Sequence, residues 1–303
     1  MSNEMQLHLI QTYTWVCDMF DKNQQWRYIR LSNNNRPTGF TDQEAVTIYL
    51  FVGHYLGYSQ VSEIHHFAYH FLSDWFPNLT SYQKFKNRLN TLHPVFYHIA
   101  NDIFSNHIPT NAQLQKQIID SMPIITAKGK NRIGKVATEL TDKGFCPSKN
   151  LYYYGLKLHM LAFVRSGTMP FPNKIFFSSA SQNDLTVAKE QNWFDNLIQT
   201  QLFADKAYGE TDYFETRKQW IQLDLFTPVK AVKGTPEVIK QRELAANNLF
   251  STAVSKVRQP IESLFNWLIE KTNIQNASKV RSTNGLLLHC FGKIALAAIN
   301  WVF

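Results

Sequence analysis

The chain has 303 residues, of which 44% are apolar, with seven Trp and 22 Phe. That length suggests two domains, and that composition supplies a sizeable core and excludes a disordered or fibrous chain. Lys and Arg outnumber Asp and Glu by 31 to 23, a formal net charge of +8, so an anionic partner is expected, nucleic acid first.

Residues 1 to about 110 read as helical throughout. The opening Met1-Ser2-Asn3-Glu4-Met5-Gln6 lacks the charged and apolar regions of a secretory leader. The spacing of Leu7, Ile10, Thr14 and Cys17 predicts a helix over Asn3–Phe20. A turn-prone stretch follows from Leu31 to Pro37 and Gly39. Thr41-Asp42-Gln43-Glu44 is a capping box opening a helix that stops near Gly57. Another helix is expected from Ser62 to about Phe76, stopped by Pro77. Thr80-Ser81-Tyr82-Gln83 reads as a second capping box. It opens a helix whose Lys84 and Arg88, four residues apart, share a face beside Lys86. That face suits a phosphate backbone, and equally a solvated surface. Helices joined by short polar connections suit a helix-turn-helix-like module.

From Gln115 the periodicity changes, and the domain boundary is expected near Pro109. Gln117–Asp120 is a short apolar strand with a breaker, Pro123, behind it. Lys128 to Lys149 is basic and has no period, so an exposed loop is expected there, carrying Lys128, Lys130 and Arg132. Leu151–Val164 is a long strand whose Lys157 and His159 share a face by period two. Ser166-Gly167 turns the chain into a strand over Lys174–Ser178. A helix over 184–197, a strand over Leu202–Asp205, a helix over Glu210–Trp220 and a strand over Leu223–Val229 follow. A long helical region runs from about Glu237 to Lys271, and a last helix follows Gly285. Lys293 near the middle of that last helix argues for a core helix over a membrane span. Strands alternating with helices indicate an α/β domain with a mixed sheet. Cys17, Cys146 and Cys290 have neither zinc nor disulfide spacing, which suits a reducing cytosol.

Three carboxylates stand in apolar surroundings: Asp120 after Ile118-Ile119, Asp205 after Leu202-Phe203-Ala204, and Glu262 in Pro260-Ile261-Glu262-Ser263-Leu264. A buried carboxylate must be satisfied, and a divalent metal can do that. Two Mg²⁺ ions held by carboxylates can clamp the attacking and leaving oxygens of a phosphodiester displacement. Strand ends would bring Asp120 and Asp205 to one sheet edge. Pro260 fits a first helical position, leaving Glu262 in the first turn. Each carboxylate alone also reads as a cap or a surface charge; the set points to one metal site. Asn183-Asp184 before a helix reads as an N-cap, with Asp184 the competitor for a ligand role.

The chain resembles bacterial insertion-sequence transposases with an Asp-Asp-Glu triad, closest to insertion-sequence family nine-eight-two. The resemblance rests on Trp75 to Tyr82, Ile118-Ile119-Asp120-Ser121-Met122-Pro123, Tyr153 to His159, Asn183-Asp184, Ala204-Asp205-Lys206-Ala207-Tyr208 and Arg258-Gln259-Pro260-Ile261-Glu262-Ser263, in that order. It implies a ribonuclease H-like mixed sheet flanked by helices over residues 111–303, after an all-helical DNA-binding domain over 1–110. It implies Asp120, Asp205 and Glu262 as catalytic metal ligands for Mg²⁺ or Mn²⁺, two ions. The activity implied is cutting and joining double-stranded DNA at the inverted-repeat ends of a mobile element, in the bacterial cytoplasm, by a dimer or larger assembly. Ser255 and Ile269 stand where many relatives carry a tyrosine and a lysine. A metal-dependent nuclease without strand transfer, and a non-catalytic transposase-derived DNA-binding protein, are the alternatives. Lys84, Lys86, Arg88, Lys128, Lys130, Arg132, Lys157 and Arg258 are the expected DNA contacts. For Arg258 the other role is an ion pair with a site carboxylate.

Overall fold

The computed structural model describes residues 1–28, 39–130, 133–230 and 236–303. The turn-prone stretch from Leu31 to Pro37, and Arg132, lie outside the described residues. Among the described residues five α-helices come first: α1 (Asn3–Lys22), α2 (Asp42–Leu56), α3 (Val61–Phe71), α4 (Tyr82–Thr91) and α5 (His93–Asn106). Strands β1 (Ala112–Lys128), β2 (Asp142–Cys146), β3 (Leu151–Arg165) and β4 (Phe171–Ser179) follow. Then come α6 (Asp184–Glu190), β5 (Gln201–Phe203), α7 (Thr211–Ile221), β6 (Asp224–Phe226), α8 (Glu237–Arg258), α9 (Pro260–Thr272) and α10 (Thr283–Ala298). Their contacts divide the chain into a helical unit, residues 1–107 with 268–303, and a sheet unit, residues 108–267.

In the helical unit α1 buries Leu9, Thr12, Val16, Met19 and Phe20. Leu7, Ile10 and Thr14, the expected inner stripe, face solvent instead; the stripe through Val16 and Phe20 offers more apolar area, and area decides which face turns inward. The capping box at Thr41 forms, with Glu44 N donating to Thr41 Oγ1 at 3.1 Å, and Gly57 ends α2 in the left-handed region at φ 73°. Helix α3 stops at Phe71, five residues short of expectation, where Leu72 N caps onto the Ala68 carbonyl and Ser73-Asp74 turn the chain. The box expected on Thr80 does not form. Helix α4 has Ser81 at its N-cap without a side-chain cap bond, and the Thr80 carbonyl accepts from His65 Nε2 at 2.9 Å.

Helix α10 packs on α5, burying Leu286, Leu288, Ile294 and Leu296, with Phe291 4.9 Å from Tyr97 ring to ring. The expected single domain over 111–303 is therefore corrected: residues 268–303 complete the helical unit's core. No helix among the described residues is long and apolar enough to cross a membrane.

The sheet unit is α/β, with six strands in the order β2-β3-β1-β5-β6 and β4 also on β3. Strand β3 runs antiparallel to β1, β2 and β4, while β1, β5 and β6 are parallel. Strand β2 pairs with Leu151–Gly155 and β4 with Leu156–Phe163, so the outer partner of β3 changes at Gly155. That glycine has φ +155°, and a Cβ there would overlap the Ile124 carbonyl.

Two expectations change here. Pro123 does not break β1: β5 pairs β1 only over Lys116–Ile118, so at Pro123 the strand has a single neighbour, an edge position that tolerates proline. The stretch 128–149 is not one loop, since it contains β2 and a 3-10 turn over Pro147–Lys149. Helix α6 ends at Glu190 rather than near 197, with Asn192 in the left-handed region at φ 51°. The long helical region from Glu237 is two helices, broken where Pro260 starts α9.

Candidate functional site

The sheet has two faces, and period two assigns each side chain of β1 to one of them. Ile119 and Ser121 share a face with His159 and Leu161 of β3, their cross-strand neighbours. On this face Ile119 and Leu161 pack with Leu185 and Ala188 of α6, with Phe214 of α7 and with Tyr208. Ile118 and Asp120 belong to the opposite face, which α8 covers through its contacts with β1 and β5. Phe203 of β5 stacks on Phe226 of β6 at 5.0 Å.

Register brings Asp120 and Asp205 together. The last parallel pair of β1 and β5 is Ile118 with Phe203. Each aspartate lies two residues beyond its member of that pair, on the same face, and Asp205 keeps an extended backbone (φ −70°, ψ 163°). The strand end expected at Asp120 is thus the end of its partner β5, while β1 runs on. Asp205 Oδ1 accepts from Ala207 N at 3.4 Å and holds the 3-10 turn Lys206–Tyr208.

Arg258, at the end of α8, is the cation that meets the carboxylates of this face. Its Nη1 donates to Asp120 Oδ2 at 2.6 Å and its Nη2 to Glu262 Oε1 at 3.4 Å. Glu262 sits in the first turn of α9, as the proline predicts. Asp120 Oδ1 also accepts from Ser121 N at 2.8 Å. Burial pushes the Asp120 carboxyl up to about 6; Arg258 and the Ser121 N–H oppose it, and the charges of Asp205 and Asp184 add to it. Asp205 and Glu262 are exposed, Asp120 only 18% so.

Asp184 is held elsewhere. Lys157 Nζ donates to its Oδ1 at 2.8 Å and Ser121 Oγ to its Oδ2 at 3.0 Å. Lys157 also donates to the Gln182 carbonyl at 2.8 Å. Both partners lie on the face of β1 and β3 opposite Asp120. The N-cap of α6 is Asn183, accepting from Leu185 N and Thr186 N, so Asp184 is not the cap. Lys157 is consequently a clamp on the start of α6. His159 is buried, bonded through Nε2 to Ser178 Oγ at 2.7 Å, while its Nδ1 has no hydrogen-bond partner among the described residues and lies 3.9 Å from Asp184 Oδ1; burial lowers it to about 4 and keeps it neutral.

Sequence reasoning missed two groups. Ser121 was seen only as a neighbour of Asp120, yet period two sends its hydroxyl to the other face to meet Asp184. Tyr208 is buried, and its hydroxyl has no hydrogen-bond partner among the described residues. Burial, then the charges of Asp184, Asp120 and Asp205, keep it a neutral phenol. Its place at the end of the 3-10 turn after Asp205 was the available signal.

The remaining expected contacts separate by unit. Lys128 and Lys130 are exposed at the end of β1, where Lys130 and Lys143 both lie over the Tyr152 ring, at 5.9 and 5.6 Å. In the helical unit Lys84 is exposed and Lys86 half-buried. Arg88 is committed internally: its Nη1 donates to the Phe40 carbonyl, and its Nε lies 3.6 Å from Asp42.

Hard carboxylate oxygens suit Mg²⁺ or Mn²⁺, and two like charges that raise the pKa of Asp120 are what a cation would relieve. The donors are neighbours rather than a closed shell. Among the described residues no three His, Cys, Asp or Glu side chains converge as a ready metal site, and Arg258 occupies one oxygen each of Asp120 and Glu262. Comparison with family models, with curated proteins and with solved structures returned no match for the chain.

Proposed function

We propose that the chain is an Asp-Asp-Glu DNA transposase on a ribonuclease H-like core, with Asp120, Asp205 and Glu262 as its metal ligands. The observation that carries this reading is the equivalent position of Asp120 and Asp205, each two residues past the last parallel pair of β1 and β5, with Arg258 linking Asp120 to Glu262. The mixed sheet, with its antiparallel strands on one side and its parallel strands on the other, supports the ribonuclease H-like assignment. When bound, two Mg²⁺ or Mn²⁺ ions supply Lewis acidity and activate the attacking oxygen of an in-line displacement.

The protein's own groups do the rest. Asp120 presents its oxygens from strand β1 and Asp205 from the turn that it caps just after β5, so little reorganisation is needed. Arg258 neutralises Asp120 and Glu262 in the resting site, and its planar fork matches a phosphodiester equally well. Lys128 and Lys130, exposed at the end of the strand that carries Asp120, can hold DNA without reading its sequence. End recognition belongs to the helical unit, and pairing two ends requires at least two copies of the chain.

The test is an incubation of the protein and Mg²⁺ with linear DNA carrying the sequences that flank its gene, beside a supercoiled plasmid. Joined products are expected. Nicks without joining would make the protein a hydrolytic nuclease, and intact DNA across both substrates would overturn the catalytic reading.

A further inference from the structure

A cavity of about 300 Å³ opens in the helical unit. Lys86, Lys279, Arg281 and Lys293 line it, and among the described residues no Asp or Glu does. Lys293 is 5% exposed. Its ammonium donates to the Asn273 carbonyl at 3.1 Å. An ammonium has three N–H donors, so two remain without an acceptor among the described residues. Lys86 has neither a hydrogen bond nor an ion pair to a described residue. Among the described residues, Lys279 donates to a neutral acceptor, Gln60 Oε1, at 3.2 Å, and Arg281 Nη1 to the Ser278 and Val280 carbonyls, each at 2.7 Å. His289, also in the wall, is held neutral by burial and then by the charge of Lys293, which lower it to about 3.

Two helix starts add to this field. Val61 and Ser62 of α3 and Tyr82 of α4 are in the wall, and neither helix has a side-chain N-cap. Uncapped helix starts carry partial positive charge and free N–H groups. Glu63, in the first turn of α3, offsets part of this field and acts on Lys293, but four cations and two helix starts still leave the cavity net positive, which favours a multiply charged anion. A lone carboxylate would leave most of the charge uncompensated. The volume is at the lower end for small-molecule sites, larger than a bare phosphate needs, and Tyr82 offers a part-exposed ring beside it.

We propose that this cavity binds a phosphate group carried by a nucleotide, presented either by a DNA strand or by a free nucleotide. The DNA source rests on the function proposed above; the phosphate site does not. Burial lowers Lys293 to about 8, so its ammonium is the dominant form at neutral pH and a bound anion would hold it charged.

The test uses the full chain and calorimetric titration with deoxyadenosine 5′-monophosphate, deoxyadenosine and inorganic phosphate. The nucleotide is expected to bind at least about tenfold more tightly than the nucleoside, the scale of one charge-assisted hydrogen bond. Lys86→Gln with Lys279→Gln should lose about tenfold, and Lys293→Met at least as much. If Lys293→Met does not fold, the rim pair alone decides. Equal binding of nucleotide and nucleoside, no binding of the nucleotide, or wild-type affinity in the rim variant would overturn the proposal. A single-stranded oligonucleotide that displaces bound nucleotide identifies a DNA strand as the source. One that binds without displacing it identifies a free nucleotide. Failure of DNA cleavage with nucleotide binding intact would remove the transposase reading and leave this site standing.

Discussion

The two units handle charge in opposite ways. The sheet unit gathers carboxylates, and the cations beside them are committed to them: Arg258 to Asp120 and Glu262, Lys157 to Asp184. The helical unit gathers cations around a cavity lined by no acid among the described residues, and one of them, Lys293, is buried. A net charge of +8 says nothing of this separation, yet the separation gives the two units different chemistry. On the proposals above, one would hold a cation and the other an anion.

The largest expected effect is at the carboxylates. Asp120→Asn, Asp205→Asn and Glu262→Gln keep shape and lose a ligand charge. Groups that merely orient metal ligands cost about 10–100-fold, so loss of a ligand should cost at least about a hundredfold in cleavage, with DNA binding nearly unchanged. Asp184→Asn should stay within about tenfold, because Asp184 is tied to Lys157 and Ser121 on the other face of β1. Cleavage assays in Mg²⁺ on all four variants decide. A loss in Asp184→Asn matching that in Asp205→Asn would put Asp184 among the ligands.

Much of this was legible because it depends on local rules. The Thr41 box, Pro260 opening α9 and the period-two pairing of Lys157 with His159 are all set by near neighbours. What was not legible depends on distant ones. Pro123 reads as a breaker until β5 is seen to stop at Ile118. Strand β2 hides in a basic stretch because its pairing with β3 is chosen by Tyr152 to Gly155, not by its own pattern. Helix α10 looks like the end of the catalytic domain, and only packing against α5 assigns it elsewhere. The face of β1 that each acid occupies follows from register, which no single stretch encodes.

Lys293 gives the anion-side comparison a pH signature. Burial lowers its pKa from 10.5 to about 8, against the opposing charge of Glu63. The fold favours the neutral amine, so the unfolded chain binds more protons between those values. The cost of burying the charge is present in full below pH 8 and disappears as pH rises to 10.5. Stability relative to Lys293→Met should therefore rise by about 3 kcal/mol over that window. Urea denaturation of both proteins at several pH values measures it; a difference independent of pH would mean the ammonium is not desolvated.

On the cation side, Arg258→Met leaves Asp120 and Glu262 unpaired. Removing one partner of a part-buried charged hydrogen bond should cost about 1–3 kcal/mol. Added Mg²⁺ should restore more stability to the variant than it gives the wild type, since metal and guanidinium then answer the same charge. Thermal unfolding with and without Mg²⁺ tests this. Equal shifts in both proteins would separate Arg258 from the metal site.

Arg88 and Lys84 share a helix face but not a role. Arg88→Ala removes donors to the Phe40 and Thr41 carbonyls and a partner of Asp42, so about 1–2 kcal/mol of stability should go with it. Lys84→Ala, at an exposed site, should stay within about 0.5 kcal/mol. Any loss of end binding in Lys84→Ala then reports contact with DNA, whereas in Arg88→Ala it reports folding. Denaturation beside binding to end and scrambled DNA separates the two, and a stable Arg88→Ala protein would return Arg88 to the DNA-contact set.

The smallest effect expected is also the one that tests whether the sheet unit, despite its carboxylates, touches DNA. Lys128 and Lys130 are exposed at the end of the strand that carries Asp120. A lysine on a phosphate releases about one counterion, and each lost contact lowers the slope of log affinity against log salt by nearly one. Neither lysine is placed to read bases, so Lys128→Ala with Lys130→Ala should weaken end DNA and scrambled DNA alike and cut the slope by about two. Lys130 also lies over Tyr152 with Lys143, and Lys143 can take over part of its charge. A slope change nearer one would fit that sharing. An unchanged slope would mean that DNA does not cross this end of the sheet, and the anion-binding work would fall to the helical unit alone.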